Sequence, residues 1–204
     1  MDQAITTTIK NLEKNNLKTF FVETKEEALA KILDSVPENA TIGFGGSKTL
    51  KQLGVFAALE KKNYKLLDWG RANSGEEAAE IRKQSLFADV YLSSSNAITQ
   101  DGKLVNMDGT GNRVSAITFG PEKVIIVAGK NKIVENEEKA VERIRNIAAP
   151  ATAKHFGKKT PCVITGKCMD CTSKDRICCI KVVHSWQKTP GRITIILVNE
   201  DLGY

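Results

Sequence analysis

Within the thirteen residues from Asp101 to Arg113, DGKLVNMDGTGNR, the chain gathers two Asp-Gly pairs, a Gly-Thr-Gly and an Asn-Arg. Turn formation accounts for one Asp-Gly. A second loop that sets Gly109, Thr110, Gly111, Asn112 and Arg113 side by side offers the groups of an anion site. Glycine lets backbone N–H groups come close, and a hydroxyl, an amide and a guanidinium fork stand beside them. Asn106 adds a further amide just upstream. Asp101 and Asp108 are carboxylates able to act as general acid or base once partly desolvated, and with Arg113 they are the candidate catalytic residues. The plainer alternative is a long hairpin and an ordinary turn, with each Asp capping its own Asp-Gly and Arg113 pairing with Asp108.

A second glycine-rich stretch, Ile42-Gly-Phe-Gly-Gly-Ser-Lys-Thr49, falls between an apolar strand and a helix. Gly45 and Gly46 let the backbone approach a ligand, Ser47 and Thr49 supply hydroxyls beside the first helical N–H groups, and Lys48 supplies a point charge. The P-loop pattern GxxxxGK[ST] is absent, and so is the third glycine of the dinucleotide fingerprint. In open α/β sheets ligands bind beyond the carboxyl ends of the strands, where this loop belongs. A tight turn with Ser47 as helix cap is the alternative.

All five cysteines, Cys162, Cys168, Cys171, Cys178 and Cys179, fall in one short segment. Cys-x-x-Cys lets one turn present two thiolates to one metal, and a later pair completes a set of four. Four thiolates suit an iron–sulfur cluster or tetrahedral zinc, and the spacing matches neither a bacterial ferredoxin nor a common zinc ribbon. Lys167, Lys174 and Arg176 would offset thiolate charge. Unligated thiols, or a reversible Cys168–Cys171 disulfide, are the alternatives. The two histidines, His155 and His184, read as surface or packing residues.

These groups need a scaffold, and the sequence describes one. Apolar runs at Thr19–Val22, Ala40–Phe44, Tyr64–Trp69, Val90–Ser93, Lys123–Ala128 and Arg192–Val198 read as strands. Helical patterns at 2–16, from Thr24 to Ser35, from Ser47 onward, from Ser74 to Phe87 and at 137–149 alternate with them. Thr24 with Glu27, and Ser74 with Glu77, have the spacing of capping boxes. Ala97–Thr99 and Lys103–Val105 read as a hairpin about Gln100-Asp101-Gly102. The fold class is therefore α/β, a Rossmann-like three-layer arrangement with a mostly parallel sheet, an inserted β-hairpin and a small Cys-rich segment. A single domain is expected, with an α/β core over 1–150, a Cys-rich insertion over 151–191 and a terminal strand over 192–204.

Composition narrows the function classes. The 204 residues are 41% hydrophobic and 26% charged, with a net charge of +6. Basic residues are interleaved with acids, and aromatics are only 6% of the chain, so a nucleic-acid track is not expected. The apolar runs are too short for a bilayer, and the first sixteen residues have no apolar core such as a signal peptide needs. The chain reads as cytoplasmic, drawing a small anionic metabolite as partner.

The strand leading into IGFGGSKT, the block ADVYLSSSNAIT through DGKLVNMDGTGNRVSAITFGP, the run VIIVAGKNKIV and the closing GRITIILVNEDLGY together resemble the LUD (lactate-utilisation) domain family. The resemblance covers about residues 1–150 and the last dozen. It implies the fold of the ribose-5-phosphate isomerase, glucosamine-6-phosphate deaminase and CoA-transferase superfamily. In that superfamily the loop matching Gly45–Thr49 holds phosphate or the acyl-CoA end, and the region matching Asp101–Arg113 supplies acids and sugar contacts. It also implies a role in oxidising L-lactate to pyruvate beside iron–sulfur partner subunits, and leaves a homodimer open. The isomerase motifs Asp-Gly-Ala-Asp and Lys-Gly-Gly-Gly are absent. Two other readings stand beside this one: a non-catalytic iron–sulfur assembly or regulatory protein, and a phosphosugar isomerase-like enzyme using Asp101 and Asp108 with Lys130.

Overall fold

The computed structural model describes residues 2–204. Six strands form one parallel sheet: β1 (Lys18–Val22), β2 (Thr41–Phe44), β3 (Lys65–Leu67), β4 (Val90–Ser93), β7 (Lys123–Gly129) and β10 (Ile193–Val198). Their spatial order is β1-β10-β7-β4-β2-β3. Strands with both faces covered should be apolar throughout rather than alternating. β10 is buried at all six positions and β7 at six of seven. In β7, Ile125 and Val127 enter the core on one face, while Val124, Ile126 and Ala128 enter the core on the other.

Helices cover the two faces. α2 (Lys25–Ser35), α3 (Lys48–Gln52) and α4 (Val55–Glu60) carry Ala28, Ile32, Leu50, Val55 and Leu59 into the first core. α1 (Gln3–Lys14) brings Ile5 and Leu12 to the second. The chain then fits the pattern of two apolar layers on one central sheet. α1 ends at Lys14, two residues before 16, because Asn16 turns left-handed (φ 59°) and Leu17 N–H closes back on the Leu12 carbonyl at 2.9 Å.

Both N-caps form, and each glutamate reaches back to the residue before the cap, Glu27 Oε2 accepting from Glu23 N–H at 2.9 Å and Glu77 Oε2 from Asn73 N–H at 2.7 Å. Thr24 Oγ1 accepts from Glu27 N–H at 3.2 Å, and Ser74 Oγ accepts from Glu77 N–H at 3.1 Å. The helix after Ser74, α5 (Gly75–Gln84), gives way to a 3-10 turn at Ser85–Phe87. The expected strand to Trp69 stops at Leu67, where Asp68 caps a 3-10 turn through Trp69–Arg71.

A second sheet, ordered β8-β5-β6-β9, is built from β5 (Ala97–Thr99), β6 (Leu104–Asp108), β8 (Ile133–Val134) and β9 (Ile180–His184). β5 and β6 are the expected hairpin, with β6 running three residues further than Val105 to Asp108. β9 comes from the Cys-rich segment and pairs antiparallel with β6, Val105 opposite Val183.

Two helical stretches differ from expectation. Asn112–Thr118 is a helix, α6, so Asn112 and Arg113 stand on its first turn and not in a loop. The helix expected over 137–149 continues to His155 as α7 (Glu137–Arg143), a π turn at Ile144–Ala148 and α8 (Ala149–His155). Pro150 at the start of α8 lacks an N–H that the wider π turn leaves unused. The short α9 (Pro161–Thr165) follows. Among the described residues no helix is long and apolar enough to cross a membrane.

Candidate functional site

A cleft of about 240 Å³ opens beyond the carboxyl ends of β2, β4 and β7. Strand ends face it for a simple reason: in a parallel sheet every β→α connection leaves at that edge, so loops collect there. Gly45, Gly46, Ser47, Lys48 and Thr49 line one side, as placed by the turn from β2 into α3. Gly45 is required there, since a Cβ would collide with Ser93 Oγ and press on the Arg113 stem at 3.0 Å. Ser47 Oγ is occupied as helix cap, accepting from Leu50 N–H at 3.2 Å.

Lys132 forms the floor. The 3-10 turn Lys130–Lys132 after β7 directs it inward, where it is only 4% exposed. Its Nζ donates to Ser94 Oγ at 2.8 Å and to Thr49 Oγ1 at 3.0 Å. Both acceptors are neutral hydroxyls. Burial, with the nearby Arg143 and Arg113 charges, pushes the ammonium down to about 7. Among the described residues it makes no ion pair. Arg113 and Arg143 are each 8% exposed, and Asp108 is the buried carboxylate beside them. Three buried cations against one buried anion leave this end of the sheet with an excess of positive charge. Charge buried without a counterion is costly.

The opposite wall is apolar and aromatic. Trp69 Nε1 donates to Phe44 O at 3.1 Å, and its ring stands 6.4 Å from that of Phe156. Phe56, stacked on Phe44 at 4.7 Å, completes that wall. Arg82 lies over the outer face of Trp69 at 4.2 Å. Gly203 closes over the floor, with its N–H donating to Gln52 Oε1 at 2.6 Å. A Cβ at Gly203 would abut Lys132 Nζ at 3.1 Å.

The Asp101–Arg113 stretch divides between two places. Arg113 reaches the cleft wall, but its guanidinium is spent on the protein: Asp108 at 2.6 Å, Asn106 Oδ1 at 2.6 Å, Asn96 Oδ1 at 2.8 Å, and the Met107 and Ser94 carbonyls at 3.0 and 3.1 Å. Asp108 also accepts from Val114 N–H at 2.9 Å and so caps α6. Asn106 is fully buried and holds this network from beneath. Gly109 and Gly111 lie under the Cys-rich segment, Gly109 against the Ile177 backbone and Gly111 against Ile180, while Thr110 between them is exposed. Thr110 Oγ1 donates to Asn112 Oδ1 at 2.8 Å.

Asp101 sits in the β5–β6 turn at the other end of β6 from Asp108. Burial raises its carboxyl, but the Thr99 hydroxyl and Lys103, 2.9 Å away, outweigh that and lower it. Lys130 reaches outward to Asn199 Oδ1 at 3.3 Å. The structure therefore does not bring Asp101, Asp108 and Lys130 together.

The cysteines are free thiols, none of them buried. Cys162, Cys168, Cys171 and Cys178 line one small cavity with Arg145 and Arg176, and Cys179 points elsewhere, toward Arg176 O at 3.4 Å. Among the described residues no three Cys, His, Asp or Glu side chains are close enough to hold one metal ion as they stand. Helix α7–α8 parts this cavity from the cleft. Arg145 and Ala149 face the cysteines, while Ala148, Thr152 and His155 face the cleft. A π turn inside a helix is frequent at functional sites.

Lys132, Ser94 and Trp69 carry no motif and were not legible as site residues. The one signal was position, since each lies within about one turn of the end of a main-sheet strand.

Comparison with solved structures finds a likeness over the whole chain. A DUF162 family protein from Deinococcus radiodurans matches with TM-score 0.56 and 13% identity, over 97% of each chain. At that identity the likeness is one of fold. Ribose 5-phosphate isomerase A from Neisseria gonorrhoeae matches over 55% of this chain and 54% of its own, at 22% identity and TM-score 0.36. No match was found among the curated proteins. The LUD domain family model matches residues 5–198, nearly the full length, and the chain belongs to that family.

Proposed function

We propose that this LUD-domain protein binds a small organic anion in the cleft, with the acidic group against Lys132 and an apolar or aromatic body against Trp69 and Phe156. The observation that supports it is the buried Lys132 ammonium, bonded only to hydroxyls beside two further buried cations. A bound carboxylate or phosphate would supply the missing charge through charge-assisted hydrogen bonds. Ligand pockets of this kind pair an apolar lining with a few polar groups that set orientation.

The finer reading follows from the family: the anion is L-lactate or pyruvate, and the protein serves lactate oxidation with iron–sulfur partner subunits that take the two electrons. A thermal-shift and calorimetric screen tests both levels. L-lactate, pyruvate, phosphosugars, nucleotides and CoA are each titrated into wild type and Lys132→Met. Stabilisation by lactate or pyruvate that is lost in the variant supports the finer reading. Binding only of a larger phosphorylated anion keeps the cleft and removes lactate. No shift with any of them overturns the proposal.

A further inference from the structure

From Pro161 to Arg192 no residue is buried. A stretch of that length with a fixed course but no apolar core needs another source of cohesion, since hydrophobic burial is what normally offsets chain entropy. Its ties to the rest of the chain include the pairing of β9 with β6, Cys179 N–H donating to Asp108 O at 2.9 Å, Gln187 N–H donating to Asn15 O at 2.9 Å and Arg145 paired with Asp170 at 3.8 Å. Most of them lie toward the far end of the segment. The part before Cys178 holds three of the five cysteines and little regular structure.

Cysteine is ordinarily among the most buried residue types. Here all five are half-buried or exposed, so packing does not explain them. Four converge on one cavity, from separate pieces of backbone. Cys162 is on α9, Cys168 and Cys171 bracket a turn with left-handed Asp170 (φ 45°), and Cys178 leads into β9. Arg176 fixes two of them at once, donating to Cys171 O at 2.7 Å and Cys178 O at 3.2 Å. Gly166, left-handed at φ 70°, ends α9 and donates its N–H to Cys162 O at 3.0 Å. Sulfur is already met by donors: Asp170 N–H points at Cys168 Sγ from 3.4 Å, and Thr160 Oγ1 is 3.2 Å from Cys162 Sγ.

We propose that Cys162, Cys168, Cys171 and Cys178 are the ligands of a four-iron, four-sulfide cluster, and that Cys179 stands outside it. The spacing of the thiols favours a cluster over a single ion: four line one cavity, yet among the described residues no three ligand side chains stand close enough to share one ion. Tetrahedral zinc with Zn–S bonds of about 2.3 Å draws its four sulfurs into mutual contact. A cluster takes one thiolate at each corner of a core with its own volume, which fits four cysteines spaced round a cavity. Four thiolates on a core of charge +2 leave a net −2, and the cavity walls carry Arg145 and Arg176. N–H donors to the coordinating sulfurs are the outer-shell contacts that such centres use. The inference is separate from the cleft, which lies on the other face of α7–α8.

The test is metal and acid-labile sulfide analysis of the whole protein, purified anaerobically and, in a second sample, reconstituted with ferrous iron and sulfide. About four irons and four sulfides per chain, with a brown charge-transfer absorbance and a paramagnetic signal after dithionite reduction, are expected. Cys179→Ser should keep full iron, and each of Cys162→Ser, Cys168→Ser, Cys171→Ser and Cys178→Ser should lose half or more. Limited proteolysis of wild type supplies a check that needs no variant: cleavage within 161–192 should be slow with iron and fast once it is chelated. Stoichiometric zinc without sulfide overturns the proposal. So does a protein that takes up no iron on reconstitution, or a Cys179→Ser variant that loses the cluster.

Discussion

The Asp108 carboxylate and the Arg113 guanidinium meet at 2.6 Å with both side chains more than nine-tenths buried. The pair joins four pieces of the molecule. Asp108 is the last residue of β6, Arg113 is in the first turn of α6, the guanidinium reaches the loop after β4, and the Asp108 carbonyl takes an N–H from the Cys-rich segment.

Breaking that pair on one side leaves a buried charge. Asp108→Ala is expected to cost about 3–5 kcal/mol, and Arg113→Ala a similar amount. Urea denaturation of each variant measures it. An Asp108→Leu/Arg113→Met double variant should recover more than half the loss, because a shape-matched apolar pair has no charge to strand. A loss under about 1 kcal/mol for either single variant would show that the pair does not hold the four pieces together.

Lys132 makes a two-sided prediction. Its folded value is about 7, below the roughly 10.4 of an unfolded lysine. Between those values the unfolded chain binds more protons, so wild-type stability rises with pH from 7 toward 10, by at most about 1.4 kcal/mol per unit. Lys132→Met removes that slope. For ligand the sign reverses. Anion binding calls for the ammonium, so affinity should fall as pH rises above 7, up to about tenfold per unit, with proton uptake visible as a buffer-dependent heat. Lys132→Met should weaken binding roughly tenfold or more without unfolding the protein.

His184 governs the acid side. Burial, with Arg192 and Arg113, pushes its imidazole down to about 4, and its Nδ1 has no hydrogen-bond partner. A folded value below the unfolded 6.5 means that the unfolded state takes up the proton first as pH falls. Stability is therefore lost between pH 6.5 and 4. His184→Gln should flatten that limb by on the order of 1–2 kcal/mol, the imidazole being only partly buried. Melting curves of the two proteins at pH 7, 5.5 and 4 make the comparison.

Two glycines separate backbone strain from crowding. Gly54 and Gly102 are both left-handed, at φ 69° and 85°. Around Gly54 there is open space, whereas a Cβ on Gly102 would collide with the Asn11–Leu12 backbone. Gly54→Ala should cost about 1 kcal/mol, the left-handed penalty alone. Gly102→Ala adds a clash between β5–β6 and α1 and should cost about 3 kcal/mol or more. Equal losses would mean that the hairpin turn gives way freely.

The sheet was legible because its physics is written in single stretches. Val124–Ala128 and Ile195–Val198 are apolar at successive positions, as doubly covered strands must be, and Thr24 and Ser74 announce their helices by local hydrogen bonds. The floor of the cleft was not. Lys130 and Lys132 are two residues apart on one tight turn, where successive side chains leave about 120° apart, and only the assembled sheet decides which one points inward. The start of α6 was hidden for a related reason. Its N-cap position is Gly111, with no capping side chain, and the cap comes from Asp108, further upstream. Cys178 and Cys179 are neighbours whose side chains leave an extended backbone on opposite sides, so only the fold could separate them.

The position of β10 has a consequence for how the molecule is made. β1 and β10 lie side by side, Phe20 against Ile196, although nearly the whole chain separates them. β10 leaves the ribosome long after β1. Until then β1 has no neighbour and β7 offers a bare apolar edge, because β10 is the strand between them. Nascent chains should wait in this half-zipped state, exposed to edge-to-edge association, and complete the sheet only once β10 has emerged.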